Sequence, residues 1–225
     1  MSFSGSMKLT IGLIILMMLA FVMIAAQPTE TQEHALNEFG FSKATFLEKP
    51  WTPITSIFLH ADLVHLLSNI LVLLFFGMAV ESEMGDKKYL AIFFLAGITG
   101  AMLAGMFYPA ATVSIGASGA IFGLVGAGML VQPASMSVFP YLMPIPLAIV
   151  GLLYIMYNAM GVIQDPTGQI SYIAHFGGLI IGLAFGVHAR GILSSIKILI
   201  LAAVGAVAVM IVYLFIMNSM AAGII

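Results

Sequence analysis

Four polar side chains lie inside apolar stretches of this sequence, and their types are those of nucleophilic catalysis. Ser118 is flanked by small residues, His65 and Asn69 lie four positions apart in an earlier stretch, and His175 lies in a later one. An unsatisfied hydroxyl in hydrocarbon is costly, so Ser118 needs a polar partner. We interpret the four side chains as one polar pocket with Ser118 as its nucleophile.

The chemistry of such a pocket follows from the residue types. An alcohol attacks well only when a base removes its proton, and the neutral imidazole of His175 can take that proton and return it to a leaving amine. No acidic residue stands out as a third member, so the sequence indicates a Ser–His dyad. The Asn69 amide, the His65 ring and the N–H of Ser118 at a helix N-terminus are suitable donors to a developing oxyanion.

The composition is that of an integral membrane protein. Of the 225 residues, 62% are hydrophobic and only 7% are charged, and the mean hydropathy is +1.15. Soluble chains are closer to half apolar and a quarter charged. The absence of cysteine excludes disulfides and thiol catalysis, and the net charge of -2 does not suggest nucleic acid as a partner. No carboxylate stands at ligand spacing with the histidines, so we expect no metal and no cofactor.

The hydropathy pattern predicts an all-α polytopic fold with seven membrane spans. The first stretch could also be a cleaved signal peptide, because Lys8 precedes it. No internal repeat is visible, so a transporter that uses intramembrane histidines gains no support. The predicted spans are 9–26, 59–80, 89–108, 117–131, 142–162, 173–189 and 196–217.

The distribution of basic residues predicts the orientation. With a cytoplasmic N-terminus, five basic residues lie inside and two outside, as the positive-inside rule requires. Spans two, four and six then begin on the outer side, which puts all four pocket residues at a similar depth. The inner residues are Lys8, Lys87, Lys88, Arg190 and Lys197, and the outer ones are Lys43 and Lys49.

Small residues predict how spans four and six meet. Glycines spaced four apart follow His175 on one face of span six, and a matching strip follows Ser118 on span four. Such rows let two helix backbones approach closely. They would bring Ser118 and His175 within hydrogen-bond distance, about 2.6–3.2 Å. The rows are Gly178, Gly182 and Gly186, and Gly119, Gly123 and Gly126.

Three motifs resemble those of the rhomboid intramembrane serine proteases. They are HADLVHLLSN at 60–69, GASG at 116–119 and AHFGGLIIG at 174–182. Each motif alone is weak, but the three in this order are specific, and the resemblance covers about residues 50–189. Two departures stand out: the Trp-Arg pair common in the first outer loop is Trp51-Thr52 here, and Phe122 replaces a frequent tyrosine beneath the histidine.

The resemblance implies a six-span catalytic domain at 9–189 with a water-accessible cavity. Ser118 takes the nucleophile position, His175 the base position, and Asn69 and His65 the oxyanion positions. It also implies a supporting role for His60, and Glu81 matches an acid common after span two. Within this domain we expect an outer loop at 27–57 that lies partly in the membrane. Outside it we expect a cytoplasmic N-terminus at 1–8 and an extra C-terminal helix within 190–225.

These features predict an intramembrane serine endopeptidase of the cell membrane whose active site opens to the extracytoplasmic side. Its partners would be the lipid bilayer and single-span membrane proteins as substrates. The alternative is a non-proteolytic relative that binds membrane helices. Such relatives lack the serine or the histidine, and both are present here.

Overall fold

The structure is a computed structural model that describes residues 7–137, 145–164 and 171–221. Within these ranges the chain is helical apart from loops and one short antiparallel strand pair, β1 (Met136–Ser137) with β2 (Ile145–Pro146). The predicted all-α bundle is confirmed. The helices are α1 (Lys8–Ala25), α2 (Thr29–Phe39), α3 (Thr52–Thr55), α4 (Leu63–Val72), α5 (Met78–Met84), α6 (Asp86–Phe107), α7 (Ser118–Val131), α8 (Leu147–Gln164), α9 (Tyr172–Arg190) and α10 (Ile192–Ala221).

Each predicted span corresponds to a helix. Five helices of the described chain are long and apolar enough to cross a membrane: α1, the rod formed by α4, a π turn and α5, and then α6, α9 and α10. The other two, α7 and α8, are shorter and apolar. Helix α8 begins at Leu147, later than the expected 142, because Pro144 and Pro146 cannot continue a helix. Residues 142–144, with which the predicted fifth span begins, lie outside the described residues. The same is true of residues 1–6 and 165–170.

Helix α7 is short because it lies inside the protein. Its 14 residues rise by about 21 Å, less than the ~30 Å hydrocarbon core. Every residue from Gly119 to Val131 is buried, so other helices rather than lipid surround it. A helix that is hydrophobic all round belongs in the core. The bilayer therefore does not set the length of α7.

The interface between α7 and α9 is built from glycine, as the spacing predicts. A Cβ atom at Gly178 would lie 1.8 Å from the Gly119 carbonyl oxygen, and one at Gly182 would lie 1.9 Å from the Gly123 oxygen. Only residues without a side chain allow the two backbones this close. The approach fixes the relative position of the helices that carry Ser118 and His175.

Two loops close the end of the bundle at which α7 and α9 begin. The predicted outer loop at 27–57 contains α2, α3 and a 3-10 turn at Ser56–Phe58 that starts inside it. Phe41 pairs with Ser114 in an isolated β-bridge, so this loop is tied to the segment that precedes α7. The loop therefore forms one wall of the region around Ser118.

A polar tie holds α1 against α5. The two carboxyl oxygens of Glu81 accept hydrogen bonds from the backbone N–H groups of Leu9 and Thr10 at 2.9 and 2.8 Å. The Thr10 hydroxyl donates to the Tyr89 oxygen at 3.0 Å. The first N–H groups of a helix have no partner within it, so buried Glu81 satisfies two of them in α1.

Helix α10 packs on α8 with its first half only. Ala202 and Ala206 are buried, and a Cβ at Gly205 would lie 2.5 Å from the Ile149 side chain. Residues 207–218 are all exposed, as expected for a helix face in contact with lipid.

Candidate active site

A glycine with a positive φ angle positions Ser118 at the start of α7. Gly116 has φ +114°, a conformation that L side chains rarely adopt, and its N–H donates to the Ser56 carbonyl oxygen at 2.9 Å. A Cβ at Gly116 would also lie 2.7 Å from Nε2 of His65. Residue 116 must therefore be glycine for two reasons: its φ angle is positive, and the His65 imidazole leaves no room for a Cβ atom.

The structure brings Ser118 and His175 together. The Ser118 Oγ lies 2.7 Å from Nε2 of His175, across the glycine interface. The imidazole is only 6% exposed. This is a normal distance for a hydroxyl that donates to an unprotonated ring nitrogen.

Aromatic rings fix the plane of the His175 imidazole. Phe122, one helical turn after Ser118, stacks on it with ring centroids 4.5 Å apart and planes 8° from parallel. Tyr154 stacks in turn on Phe122 at 4.8 Å, and Tyr172 meets the imidazole edge-on at 6.0 Å. The phenylalanine that replaces a frequent tyrosine thus provides the stacking surface expected of it.

The second nitrogen of His175 contacts a residue that the sequence analysis missed. Nδ1 lies in hydrogen-bond contact with Oδ1 of Asn158 on α8, and this side chain is 2% exposed. A polar residue in a membrane span is by default a candidate for function. That rule could have found Asn158, which interrupts the apolar stretch of span five.

The His65 ring lies beside Gly116, and the Asn69 amide donates to a backbone carbonyl oxygen. Asp62 caps α4 by accepting from the His65 N–H at 2.8 Å, which fixes where the helix starts. The His65 ring then rests against Gly116. Asn69 is buried, and its Nδ2 donates to the His65 carbonyl oxygen at 2.8 Å, leaving one further N–H on the amide.

His60 lies behind His65. The two rings meet edge-on at 5.0 Å, and His60 is 6% exposed. Neither of its ring nitrogens has a hydrogen-bond partner among the described residues. Burial, and then the neighbouring His65, lower the pKa of His60 to about 4. His60 is therefore neutral over the physiological pH range.

A small cavity adjoins Ser118 on the side of α6. Its volume is about 30 Å³, which is enough for a water molecule. Hydroxyl-bearing residues from four segments line it, and Oγ of Ser171 has no hydrogen-bond partner within the described chain. These residues are Ser56, Ser114, Ser118 and Ser171. No cluster of three or more potential metal ligands occurs in residues 7–137, 145–164 and 171–221.

The site lies within the part of the chain that matches a known family. Residues 47–192, more than half of the sequence, match the family model described as Rhomboid domain. The chain belongs to the rhomboid family. The matched segment includes the outer-loop residues from 47 onward and all of α3 to α9.

Rhomboid relatives are found in plants, bacteria and parasites. RHOMBOID-like protein 2 of Arabidopsis thaliana is 27% identical over 159 residues, which are 71% of this chain and 48% of that protein. Rhomboid protease GluP of Bacillus subtilis (strain 168) is 34% identical over 138 residues, 60% of this chain and 27% of that protein. Rhomboid-like protease 3 of Toxoplasma gondii is 40% identical over 76 residues, 34% of this chain and 28% of that protein. The chain thus spans less than half of the length of these three relatives.

One rhomboid departure has a clear structural effect. Thr52 stands where the family often has arginine, and it is fully buried, with its hydroxyl donating to the Lys49 carbonyl oxygen at 2.8 Å. Trp51 beside it is 43% exposed, and its Nε1 donates to the Glu38 carbonyl oxygen. This part of the loop is thus held by hydrogen bonds to backbone carbonyl oxygens and by an ion pair between Lys49 and Glu38 at 2.6 Å.

Proposed function

We propose that this protein is an intramembrane serine endopeptidase in which Ser118 is the nucleophile and His175 the general base. The observation that carries the proposal is the 2.7 Å contact between the Ser118 hydroxyl and Nε2 of His175, inside a bundle of apolar helices. Two relatives named as rhomboid proteases support it.

The geometry suits a two-step acyl transfer. The Ser118 oxygen attacks the carbonyl carbon of a peptide bond while Nε2 of His175 accepts the hydroxyl proton. The tetrahedral intermediate then expels the amine, which takes the proton from the imidazolium. The product of this step is an ester between Ser118 and the N-terminal part of the substrate.

The oxyanion needs donors that are in place before the attack. The Ser118 N–H belongs to the first turn of α7, where backbone N–H groups have no partner within the helix and the helix dipole favours negative charge. The His65 ring beside Gly116 supplies a second donor, and the remaining Asn69 N–H a third. Two of these groups lie on α4 and one lies on α7. The Asp62 cap fixes where α4 starts, and the backbone conformation of Gly116 fixes where α7 starts.

Hydrolysis of the ester requires water inside the bundle. The cavity beside Ser118 offers the space, and the unpartnered Ser171 hydroxyl offers a hydrogen bond. A water there loses a proton to Nε2 of His175 and attacks the ester carbon. The tetrahedral intermediate then expels the Ser118 oxygen, which takes the proton back from the imidazolium, and the N-terminal part of the substrate leaves as a carboxylic acid.

The substrate class follows from the location of the site. A carbonyl reaches Ser118 only from within or just outside a membrane, so the substrates are single-span membrane proteins whose helix unwinds locally. Small or helix-breaking residues near the cut lower that cost. We propose a location in the cell membrane, and from the charge distribution we infer a cytoplasmic N-terminus and a site that opens to the extracytoplasmic side.

The test is cleavage of a generic single-span substrate by purified protein in liposomes. We expect the wild type to cleave, and Ser118→Ala and His175→Ala to lose at least about a thousandfold in rate, as catalytic serine and histidine variants do. Matched controls are Ser195→Ala and His188→Ala, since Ser195 is a buried serine bonded to its own helix and His188 is an exposed histidine on α9. Both controls should cleave at the wild-type rate.

Two results would contradict the proposal. Cleavage that survives in Ser118→Ala would exclude Ser118 as nucleophile. A folded wild type that binds the substrate helix without cutting it would favour the non-proteolytic, helix-binding alternative.

A further inference from the structure

The imidazole of His175 has two possible neutral forms, and only one can activate Ser118. Nε2 must be free of hydrogen to accept the serine proton, so the ring hydrogen must be on Nδ1. Stacking on Phe122 cannot select this form, because a half-turn of the ring leaves its plane unchanged while it exchanges Nδ1 for a carbon. Another contact must therefore determine the orientation and the tautomer.

Asn158 makes that contact. Its Oδ1 faces Nδ1 of His175, and a carbonyl oxygen can only accept a hydrogen bond. The contact therefore requires a hydrogen on Nδ1 and leaves Nε2 free toward Ser118. The reverse orientation of the amide would present N–H to the ring, place the hydrogen on Nε2 and block proton removal. We propose that Asn158 is a positioning residue of the catalytic centre, which selects the productive tautomer of His175.

A neutral acceptor suits this position. Both side chains are almost fully buried among apolar helices, where an ionised carboxylate would carry a large desolvation cost. An amide oxygen orients the imidazole without that cost. The serine, the base and the positioning residue thus form a Ser–His–Asn line that crosses three helices, α7, α9 and α8.

The contact also links the catalytic centre to a peripheral helix. The neighbours of Asn158 on α8 are largely exposed, with Tyr157 at 67% and Met160 at 56%, whereas Asn158 itself is buried. Asn158 therefore connects His175 to a helix whose neighbouring side chains face outward.

The experiment compares Asn158→Leu, which keeps the approximate volume but removes the acceptor, with Asn158→Asp, which keeps an acceptor. We expect Asn158→Leu to lower kcat about tenfold, the order of one hydrogen bond, with KM unchanged. Asn158→Asp should recover most of the loss in kcat, because its carboxyl C=O still accepts a hydrogen bond from Nδ1, while the buried acid should lower the midpoint of thermal unfolding. Tyr157→Leu, next to it on the exposed face of α8, is the matched control and should keep the wild-type kcat.

The proposal rests on the proposed function. A second measurement reports the tautomer of His175 and does not depend on proteolysis. The ¹⁵N spectrum of histidine-labelled protein, with His175 assigned by difference from His175→Gln, reports the tautomer directly. We expect a hydrogen on Nδ1 in the wild type and on Nε2 in Asn158→Leu. An unchanged tautomer in Asn158→Leu overturns the role of Asn158, even if kcat falls. If the wild type cleaves nothing, the protease proposal fails, and the spectrum still decides the role of Asn158.

Discussion

Two interfaces meet at His175, and they are built differently. Toward α7, the helix backbones touch through Gly178 and Gly182, so no side chain can adjust the separation. Toward α8, His175 itself is met by one long side chain, Asn158, on a helix whose neighbouring residues are exposed. The backbone interface fixes how far the serine lies from the histidine, and the side-chain interface fixes how the imidazole is turned.

The largest effect is expected where a side chain is added between α7 and α9. Gly182→Ala places a carbon 1.9 Å from a carbonyl oxygen, and we expect it to destabilise the fold by about 3 kcal/mol and to abolish cleavage. The matched change on α8, Gly151→Ala, meets only side-chain atoms at 3.3 Å or more and should cost less than about 1 kcal/mol. Thermal unfolding in detergent measures both. Gly151 faces side chains of α7 and of the π turn, so the pair compares a backbone contact with a side-chain contact, and equal losses would contradict that distinction.

A pH effect of similar size is expected at the loop side of the site. Because the pKa of His60 is lowered to about 4, the unfolded chain binds a proton between pH 6.5 and 4 that the folded protein does not. Stability is therefore full above pH 6.5 and falls as the pH is lowered toward 4, by up to about 3 kcal/mol.

The matched variants isolate this pH effect. His60→Leu should weaken the dependence of the unfolding midpoint on pH between 6.5 and 4, whereas His188→Ala, at an exposed position, should leave it unchanged. A wild-type midpoint that does not change over this range would exclude a buried neutral His60.

A smaller effect is expected at the polar tie between α1 and α5. Glu81→Ala leaves the backbone N–H groups of Leu9 and Thr10 without their acceptor, which should cost about 2 kcal/mol. The tie lies away from His175, so kcat should stay near the wild-type value at temperatures where the variant is folded. A fall in kcat without a fall in stability would show that α1 acts on the site directly.

The smallest effect is expected where stacking alone is changed. Phe122→Leu removes the ring contacts with His175 and Tyr154, worth about 1 kcal/mol, and should lower kcat roughly fivefold. Phe122→Tyr keeps the stack and should change kcat little. A tenfold or larger loss in Phe122→Leu, with Asn158→Leu active, would show that stacking rather than the α8 contact orients the ring.

The sequence was sufficient for the helices and for the α7–α9 interface. Hydropathy identifies a spanning helix without knowledge of its neighbours, and a row of glycines predicts a close approach because no other residue permits one. The position of Ser118 followed from the same two facts: it begins a short apolar stretch and stands beside the small-residue row.

Contacts that depend on helix rotation could not be predicted. The span that holds Asn158 is apolar on all sides, so its pattern does not show which face meets the bundle. For the same reason, the sequence did not predict that the Asn69 amide donates to the His65 carbonyl oxygen. The bonds of Glu81 were also hidden, because a carboxylate that satisfies the backbone of another helix leaves no pattern in that helix.

Reaction with a fluorophosphonate tests the central claim most directly, since this reagent forms a covalent bond only with an activated serine. After labelling in liposomes and digestion, mass spectrometry identifies the modified residue. If His175 activates Ser118, we expect a single adduct on Ser118 that is lost in His175→Ala and kept in His188→Ala. A folded wild type that stays unlabelled at Ser118, or labelling that persists in His175→Ala, would contradict it.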